Sequence, residues 1–456
     1  MLGKKFDFDY IVIGSGAAGS AAALAAAKMK KKVALVESGR WGGSALNFTD
    51  IPARSAFNFS HLYMESVRGS RFGISSSSLR YNYPTVLNWT TLAARRAGAN
   101  SKKVFEENKI TCLSGLASFL TPYEISVGKI RVSAPNFLIA TGASLSTGNI
   151  SGLESVKYLT PETALSLNRP PRSIFVVGAG STGVEFANYF AELGSEVYLG
   201  ELSGRLLPRE DEEVGLVLSQ YFEEKLHVKV LTQSRVVAVS SDSGKYKITF
   251  LRGGQEKYVR ADAILLATGS NPRTDLGLEN AGVEYSKDGI DVNNMLMTSM
   301  KHISAAGDCT GGESSPERSA YDGALAAGNV FSRQKNLRNH EGFIRLTDTF
   351  PPIATVGLTE DDCLKKKIKV KKAVLPLTSV SASNTSDFRS GFVKVIADPK
   401  EKLLGATVMC PNAELVIQEV AVAVRHKFTV TQLASAPHVS SSWSELIRQA
   451  CRKLAK

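Results

Sequence analysis

The sequence predicts an α/β protein made of two βαβ domains and a C-terminal α+β domain. Two stretches, residues 11–37 and 174–201, carry the same pattern of apolar strand, glycine-rich turn, helix and second strand ending in a glutamate. From about residue 338 the pattern changes to further strands and an apolar helix around Ala413 to Val424. A chain of this length has room for about three domains. We expect these domains at residues 1–145 with 266–337, at 146–265 and at 338–456.

The first pattern begins with an apolar strand at Ile11–Ile13. The GxGxxG turn that follows has one physical task for each glycine. The first permits a tight turn, the second lets a pyrophosphate approach the helix N-terminus, and the third lets helix and strand pack closely. Glu37 ends the second strand and is placed to accept a ribose hydroxyl. The sequence therefore predicts a Rossmann-like dinucleotide site formed by Gly14, Gly16, Gly19 and Glu37.

The second pattern repeats this arrangement after a strand at Ile174–Val177, with Gly178, Gly180 and Gly183 in its turn. Its second strand leads to Glu201. A carboxylate there bonds a free ribose 2'-hydroxyl and repels a 2'-phosphate, so we expect a dinucleotide without that phosphate. Two alternatives stay open: Glu201 is a solvent-facing strand-end acid, or Arg205 and Arg209 restore phosphate binding.

The segment after the first pattern carries a family resemblance. Gly42-Gly43-Ser44-Ala45-Leu46-Asn47 and the residues up to Arg54 resemble the active-site segment of the flavoprotein disulfide reductases, typified by dihydrolipoamide dehydrogenase. In that family the segment carries two redox cysteines and a lysine. Here Ala45 and Asp50 stand at the cysteine positions, and Arg54 stands at the lysine.

The resemblance covers essentially the whole chain and implies which cofactor each site holds. It assigns FAD to the first dinucleotide site and a pyridine nucleotide to the second. For a pyridine nucleotide, the carboxylate of Glu201 predicts that NADH is preferred over NADPH. In the family, Ala-Thr-Gly segments close the nucleotide-binding domains, and an aspartate in a Gly-Asp segment holds the FAD ribityl chain. The further cofactor-binding residues implied here are Gly43, Ser44, Thr141, Gly142, Gly269, Gly307 and Asp308.

The C-terminal region departs from the family pattern. The resemblance implies a homodimer in which the partner subunit supplies a histidine and a glutamate from a His-Pro-Thr-x-Ser-Glu segment. Here Ser440 occupies the histidine position and Glu445 is retained. Glu445 also fits a capping box with Ser442 ahead of a helix, and we favour this structural role over a catalytic one. His438 is a weaker candidate for a replacement proton donor, and packing is its simpler role.

Three side chains are candidates for catalysis beside the flavin and nicotinamide rings that the resemblance implies. In the family, the lysine at the position of Arg54 pairs with a glutamate at the position of Glu185. An arginine there cannot lose its proton, so its fixed charge would stabilise an anionic reduced flavin; the alternative is a structural ion pair. Asp50 is either a helix-start residue or, if burial raises its pKa, a proton donor to the acceptor.

Composition and charge indicate which partners, which location and which metal sites to expect. The net charge is +12, but the basic clusters at Lys28 to Lys32 and Lys365 to Lys372 are typical of solvated surfaces, so we expect no nucleic-acid partner. No signal peptide or membrane span is evident, which favours a cytoplasmic location. The five cysteines are scattered without metal-ligand spacing, and we expect no metal site. Between Ile51 and Lys109 we expect an irregular serine-rich stretch followed by a long helix.

These observations predict an FAD protein in which NADH delivers hydride to flavin, and flavin passes electrons directly to a small-molecule acceptor. Disulfide reduction needs a thiolate and a proton donor for the leaving sulfur. This chain has neither, because Ala45 and Asp50 replace the family's cysteines and Ser440 replaces its histidine. A quinone or a dye is the expected class of acceptor, and transhydrogenation between pyridine nucleotides is the enzymatic alternative. The other alternative is a noncatalytic FAD-binding subunit of a larger dehydrogenase complex.

Overall fold

The computed structural model describes residues 5–74, 79–313 and 315–455. They form two compact units. The first unit combines Met1–Ser55, Thr85–Ser146 and Gly269–His340, and the second combines Ala56–Pro84, Thr147–Thr268 and Glu341–Lys456. The three-domain division predicted above stays a prediction.

The first unit is centred on a five-stranded parallel sheet. In spatial order its strands are Ile303–Ala305, Phe137–Ile139, Tyr10–Ile13, Val33–Glu37 and Thr111–Ser114. Successive residues of each strand point to opposite faces, and both faces are buried except at the edge strand Thr111–Ser114. Ile11 and Ile13 pack into one apolar cluster, whereas Tyr10 and Val12 pack into the other. The helices Ala17–Lys28 and Pro316–Phe331 lie against each other beside this sheet.

The other elements of the first unit are short. They comprise a three-stranded antiparallel sheet, two strand pairs and several helical segments. The strands are Ala117–Thr121, Glu124–Val127 and Ile130–Ser133, the pair Ala143–Leu145 and Ser270–Pro272, and the pair Tyr285–Ser286 and Gly289–Ile290. The helical segments are Ala45–Thr49 (π), Ser101–Glu107, Leu278–Ala281 and Asp308–Thr310 (3₁₀), with most of Tyr83–Gly98.

The second unit repeats the parallel arrangement and adds two antiparallel sheets. Its parallel sheet has the spatial order Lys229–Leu231, Glu196–Gly200, Ser173–Val177 and Ala263–Leu266. One antiparallel sheet contains Ser234–Asp242, Lys245–Arg252 and Gln255–Ala261. The other has the order Ile344–Thr347, Ile353–Gly357, Leu403–Met409, Phe392–Ala397 and Lys371–Pro376. A large apolar cluster lies between this last sheet and the C-terminal helices and forms the core of the C-terminal part of the unit.

Besides most of the helix Ile51–Arg68, the second unit contains helices of one turn to four. They are Gly69–Phe72 (3₁₀), Leu153–Ser155 (3₁₀), Pro161–Ala164, Ser181–Glu192, Glu212–Lys225, Glu360–Lys365, Leu377–Ser379 (3₁₀), Ala382–Thr385, Ala413–Val416, Gln418–Arg425, Val430–Ser435 and Glu445–Leu454. The apolar helix expected near Ala413 to Val424 is thus two shorter helices.

The stretch after Ile51 is helical from Ile51 to Arg68, so the predicted irregular conformation is wrong there. Pro52 lies in the first turn, where its missing N–H costs no hydrogen bond. Ala53, Ala56 and Phe57 recur at helical spacing and are buried. Much of the serine-rich character comes from residues 75–78, which lie outside the described residues.

A cluster of charges lies inside the second unit. Lys394, in the strand Phe392–Ala397, has a fully buried side chain. Its Nζ lies 2.8 Å from a Glu213 oxygen and 3.4 Å from an Asp211 oxygen, and it also contacts Glu360. Burial opposes the charged form, but the hydrogen bonds to Glu213 and Glu360 hold the pKa of Lys394 above its ordinary value. The lysine therefore stays charged and pairs with three converging carboxylates.

Candidate active site

The first glycine loop has the geometry that a dinucleotide requires. Gly14 has φ +104°, and a Cβ added there would lie 2.2 Å from the Ala140 carbonyl oxygen. A Cβ on Gly19 would lie 1.8 Å from the Gly14 carbonyl oxygen. A Cβ on Gly16, by contrast, would meet nothing within 4 Å. The first and third glycines are therefore required by packing, whereas the second faces open space at the helix N-terminus.

The second glycine loop repeats this division of tasks. Gly178 has φ +98°, and its added Cβ would lie 2.5 Å from the Ala267 carbonyl oxygen. A Cβ on Gly183 would lie 1.9 Å from the Gly178 carbonyl oxygen, but one on Gly180 would meet nothing within 4 Å. The two helices that follow, Ala17–Lys28 and Ser181–Glu192, have no side-chain cap at their N-termini. Their first-turn N–H groups are thus available to a phosphate.

Both strand-end glutamates also hold their own loops, a role that the sequence did not reveal. Glu37 Oε2 accepts from the Ser15 N–H at 2.9 Å, and Oε1 accepts from the Gly39 N–H at 2.6 Å. Glu201 accepts from the Ala179 N–H and the Ser203 N–H, each at 2.7 Å. A carboxylate has about four lone-pair positions, so each retains acceptors for a ribose hydroxyl. Glu201 is buried, so it is not a solvent-facing acid.

The open second glycines, the uncapped helix N-termini and the fixed carboxylates fit dinucleotides at both loops. The other predicted cofactor-binding residues lie at the ends of strands in the same units. Gly142 and Gly269 have φ +71° and +90°. Thr141 Oγ1 donates to the Arg273 carbonyl oxygen at 2.6 Å. Gly307 and Asp308 follow the strand Ile303–Ala305, and Asp308 begins a 3₁₀ turn.

The segment that contains Asp50 is fastened to the first glycine loop. The Gly42 N–H donates to Ser15 Oγ at 2.9 Å, and the Ser15 hydroxyl donates to Glu37. A Cβ on Gly43 would lie 2.5 Å from Gly16 Cα, so only glycine fits against the loop here. Ser44 is exposed beside this contact. The segment then forms a π-helical turn at Ala45–Thr49, a rare conformation that is frequent at functional sites.

An ion pair lies where the resembling family carries its dithiol and lysine. Arg54 Nε donates to Asp50 Oδ1 at 2.7 Å, one helical turn apart. The side chains are 27 % exposed for Asp50 and 41 % for Arg54. The burial that would have made Asp50 a proton donor is therefore incomplete. Asp50 precedes the helix Ile51–Arg68, as the helix-start alternative predicted.

Glu185 has a partner within the second unit. Glu185 lies on the helix Ser181–Glu192, and its Oε1 accepts from the Asp348 N–H at 2.8 Å. Ser181, at the start of this helix, is exposed and its hydroxyl lies 3.0 Å from the Thr347 hydroxyl. Arg54 belongs to the first unit and Glu185 to the second. Their predicted pairing stays a prediction.

The C-terminal segment corrects one expectation. The predicted capping box between Ser442 and Glu445 is wrong, because the helix begins only at Glu445. The Ser442 hydroxyl donates to the Val439 carbonyl oxygen at 2.7 Å. Ser444 takes the cap position without a side-chain bond, and Glu445 pairs with Arg448 at 3.4 Å. Ser440 is exposed.

His438 is nearly buried and is held at both ring nitrogens. Nε2 lies 2.9 Å from a Glu419 oxygen, and Nδ1 lies 2.9 Å from the Ala436 carbonyl oxygen. Burial raises the pKa of Glu419, and the neighbouring histidine opposes that rise. This arrangement fits the packing role better than that of a proton donor.

All five cysteines are free thiols. Four are buried, and the pKa of every one is raised, chiefly by burial. For Cys309 the pKa reaches about 11 and for Cys451 about 12. Thiolates are the reactive form, so these cysteines are unsuited to attack a disulfide. Among the described residues, no helix combines the length and the apolar character needed to cross a membrane.

Comparisons with known proteins agree with this geometry. Residues 8–328 match the family described as pyridine nucleotide-disulphide oxidoreductase, and residues 345–451 match its dimerisation domain. A mercuric reductase of Bacillus cereus is 33% identical over 441 residues, which cover 95% of this chain and 70% of that protein. Dihydrolipoyl dehydrogenase 1 of Arabidopsis thaliana is 29% identical, with 97% of this chain and 89% of that protein covered. The crystal structure of LpdA from Mycobacterium tuberculosis superposes with a TM-score of 0.89 at 26% identity, covering 98% of this chain and 100% of that one.

Proposed function

The chain belongs to the pyridine nucleotide-disulphide oxidoreductase family, and on that premise we propose that it oxidises NADH and passes the electrons directly to a non-disulfide acceptor. A quinone or a quinone-like dye is the proposed class of acceptor. We also propose a homodimer, in keeping with the dimerisation domain that residues 345–451 match.

Bound FAD would supply the two-electron redox chemistry that connects the hydride donor with the acceptor. In our proposal the loop with Gly14, Gly16 and Gly19 holds the FAD pyrophosphate, and Glu37 accepts a ribose hydroxyl. Asp308 holds the ribityl chain, as the resemblance implies. The uncapped N-terminus of the helix Ala17–Lys28 supports this assignment, because its N–H groups are free to bind phosphate oxygens.

The observation that carries the proposal is the Asp50–Arg54 ion pair at the position of the family's dithiol. Disulfide reduction requires a thiolate that attacks sulfur and an acid that protonates the leaving sulfur. Asp50 and Arg54 offer neither a thiolate nor a second sulfur, and the five cysteines present elsewhere have raised pKa values. Neither mercuric reduction nor lipoamide chemistry is therefore what we propose for this chain.

In this proposal Arg54 is the catalytic residue and Asp50 positions it. The guanidinium keeps its charge at any physiological pH, so it is suited to stabilise negative charge that develops on a neighbouring ring. Asp50 holds Nε of that guanidinium at 2.7 Å, which leaves the two terminal nitrogens to face other partners. Glu185 is proposed to position the nicotinamide ring.

The proposed preference for NADH depends on Glu201. The carboxylate is buried and already fixed by the Ala179 and Ser203 N–H groups, so it has little freedom to move away from a 2'-phosphate. Arg205 and Arg209 are the nearby cations that would compensate. Nη2 of Arg205 lies 2.8 Å from an Asp361 oxygen and donates to two backbone carbonyls, which directs this nitrogen to other partners. This supports NADH over NADPH.

Anaerobic titration of the FAD-loaded protein with NADH tests the proposal. We expect loss of the flavin absorption band at one NADH per flavin, without a thiolate charge-transfer band, and reoxidation by added quinone. Gly180→Leu is the matched control, because a side chain there fills the open space of the second loop and leaves the FAD loop unchanged.

Each contrary outcome points to a different function. A flavin that stays oxidised with excess NADH overturns the reductase proposal and favours the FAD-binding subunit of a larger dehydrogenase complex. Reoxidation by a second pyridine nucleotide, but not by quinones, favours a transhydrogenase.

A further inference from the structure

Two titratable side chains face each other inside the second unit. His61 lies on the helix Ile51–Arg68, and Glu192 ends the helix Ser181–Glu192. His61 Nε2 is 4.0 Å from Glu192 Oε2. The Glu192 side chain is 0 % exposed and that of His61 is 16 % exposed. The separation is too long for a direct hydrogen bond.

Three atoms of this pair have no hydrogen-bond partner within the described part of the chain: His61 Nε2 and both carboxylate oxygens of Glu192. A buried ionised carboxylate without hydrogen bonds is strongly disfavoured, and the group becomes neutral instead. Burial accordingly raises the pKa of Glu192 to about 8 and lowers that of His61 to about 4. At neutral pH the pair then carries one proton and no net charge.

The surrounding charges oppose an anionic Glu192. The negative charges of Asp348 and Glu65 raise the pKa of Glu192 further. The polar side chains of Ser60 and Asn188 lower this pKa, but by less than burial raises it. Glu65 pairs with Arg68 on the same helix, at 2.8 Å. Tyr221, on the helix Glu212–Lys225, also faces this region. Burial raises the pKa of Tyr221 most, the negative charges of Glu192 and Glu65 raise it further, and the positive charges of Arg68 and Arg71 lower it.

We propose that His61 and Glu192 form a buried site for one proton and one bridging water molecule, which fastens the helix Ile51–Arg68 to the helix Ser181–Glu192. Three unpartnered polar atoms match the number of hydrogen bonds that a buried water usually makes. The proton comes from solvent and resides on the Glu192 carboxyl, so the pair is neutral and fully hydrogen-bonded. Loss of the proton leaves a buried carboxylate between the two helices.

The site lies on elements that also carry a predicted catalytic residue. Phe57, one turn before His61, packs edge-on against Phe186 at 5.4 Å between ring centroids. Asn188 accepts from the Phe350 N–H, and Glu185 lies on the same helix two turns before Glu192. Proton loss at Glu192 would therefore loosen the helix that positions Glu185. The inference does not depend on the identity of the electron acceptor.

The pKa shifts fix the pH window. Glu192 binds its proton more tightly in the folded protein, so its contribution to stability falls as pH rises from its ordinary 4.5 to about 8. His61 has the opposite slope between about 4 and its ordinary 6.5, because the folded protein keeps it neutral. The two slopes cancel below pH 6.5. A net loss of stability is therefore expected between about pH 6.5 and 8, where the unfolding equilibrium constant should rise by about eightfold.

The test combines infrared spectroscopy with thermal unfolding of the full-length FAD-loaded protein. We expect a protonated-carboxyl stretch at pH 6.5 that disappears as the pH rises through about 8 and is absent from Glu192→Gln. The unfolding temperature of the wild type should fall over this window, whereas that of Glu192→Gln should not. Glu223→Gln, the same change at an exposed glutamate, should follow the wild type.

Histidine NMR of the wild type covers the case in which Glu192→Gln does not fold. The His61 resonances, assigned by comparison with His61→Gln, should show a neutral ring from pH 6 upward. A protonated His61 ring at pH 6.5, or the absence of a protonated-carboxyl stretch from the wild type at that pH, would show an ordinary ion pair and overturn the proposal.

Discussion

Replacing Lys394 with methionine should destabilise the second unit by about 3–5 kcal/mol, the usual cost of removing one partner from a buried ion pair. Methionine keeps most of the side-chain volume, so the change removes the charge and creates little cavity. What remains are Asp211, Glu213 and Glu360, with one oxygen of each lying within 4.8 Å of the others.

The magnitude follows from the repulsion among these carboxylates. At 4.8 Å and an effective dielectric constant of about 20, each like-charge pair costs about 3.5 kcal/mol. The protein limits the total by taking up a proton. Asp211 is the site for that proton, since burial already raises its pKa even though Lys394 and the Glu360 N–H oppose the rise. We therefore expect the measured loss to stay near one pairwise repulsion.

The assay is thermal unfolding of the FAD-loaded protein, in which this loss lowers the midpoint by about 6 °C or more. The matched control is Lys372→Met. Lys372 also contacts Glu360, at 2.7 Å, but its side chain is 48 % exposed, so its loss should cost about 0–1 kcal/mol. Calcium should raise the midpoint of Lys394→Met but not of the wild type, because three oxygens are then free to bind a cation. Equal midpoints for the two variants would refute the reasoning.

Three further predictions concern the chemistry. Glu201→Ala should raise the KM for NADH by about tenfold or more, because a charged hydrogen bond is worth about 1.5–3 kcal/mol; steady-state kinetics with both coenzymes should also show the preference over NADPH shrinking. Asp50→Asn should spare flavin reduction by NADH but slow reoxidation by quinone, since Arg54 loses its charged partner; stopped-flow rates that match the wild type in both half-reactions would remove Asp50 from the mechanism. NADH-dependent reduction of lipoamide should stay at background in a spectrophotometric assay, and steady turnover would contradict the central proposal.

Local patterns predicted the two glycine loops well because each depends on neighbouring residues. The steric tasks of Gly14 and Gly19 follow from a strand, turn and helix that are consecutive in sequence. The helix at Ile51–Arg68 was missed because serines outweighed the buried spacing of Ala53, Ala56 and Phe57. The capping box failed because the helix begins only at Glu445, with Ser444 and not Ser442 at the cap position.

The contacts between buried charges could not be predicted from the sequence, because they join distant parts of the chain. Lys394 and Glu213 are 181 residues apart, and sequence spacing does not indicate such a contact. A signal was nevertheless present. Lys394 interrupts the otherwise apolar run Phe392–Ala397, and a lysine in a fully buried strand requires carboxylate partners. His61 and Glu192 gave no comparable signal, since each lies in an ordinary amphipathic helix.

The structural task of Glu201, together with its proposed role in coenzyme choice, constrains how this chain would evolve. Its contact with Ala179 and that of Glu37 with Ser15 both span 22 residues, so the two loops share one construction. A mutation at Glu201 that admits NADPH also removes the acceptor of two backbone N–H groups and loosens the loop. Selection for a new coenzyme would therefore first favour changes elsewhere that stiffen the loop. Coenzyme choice and loop stability are inherited together at this position.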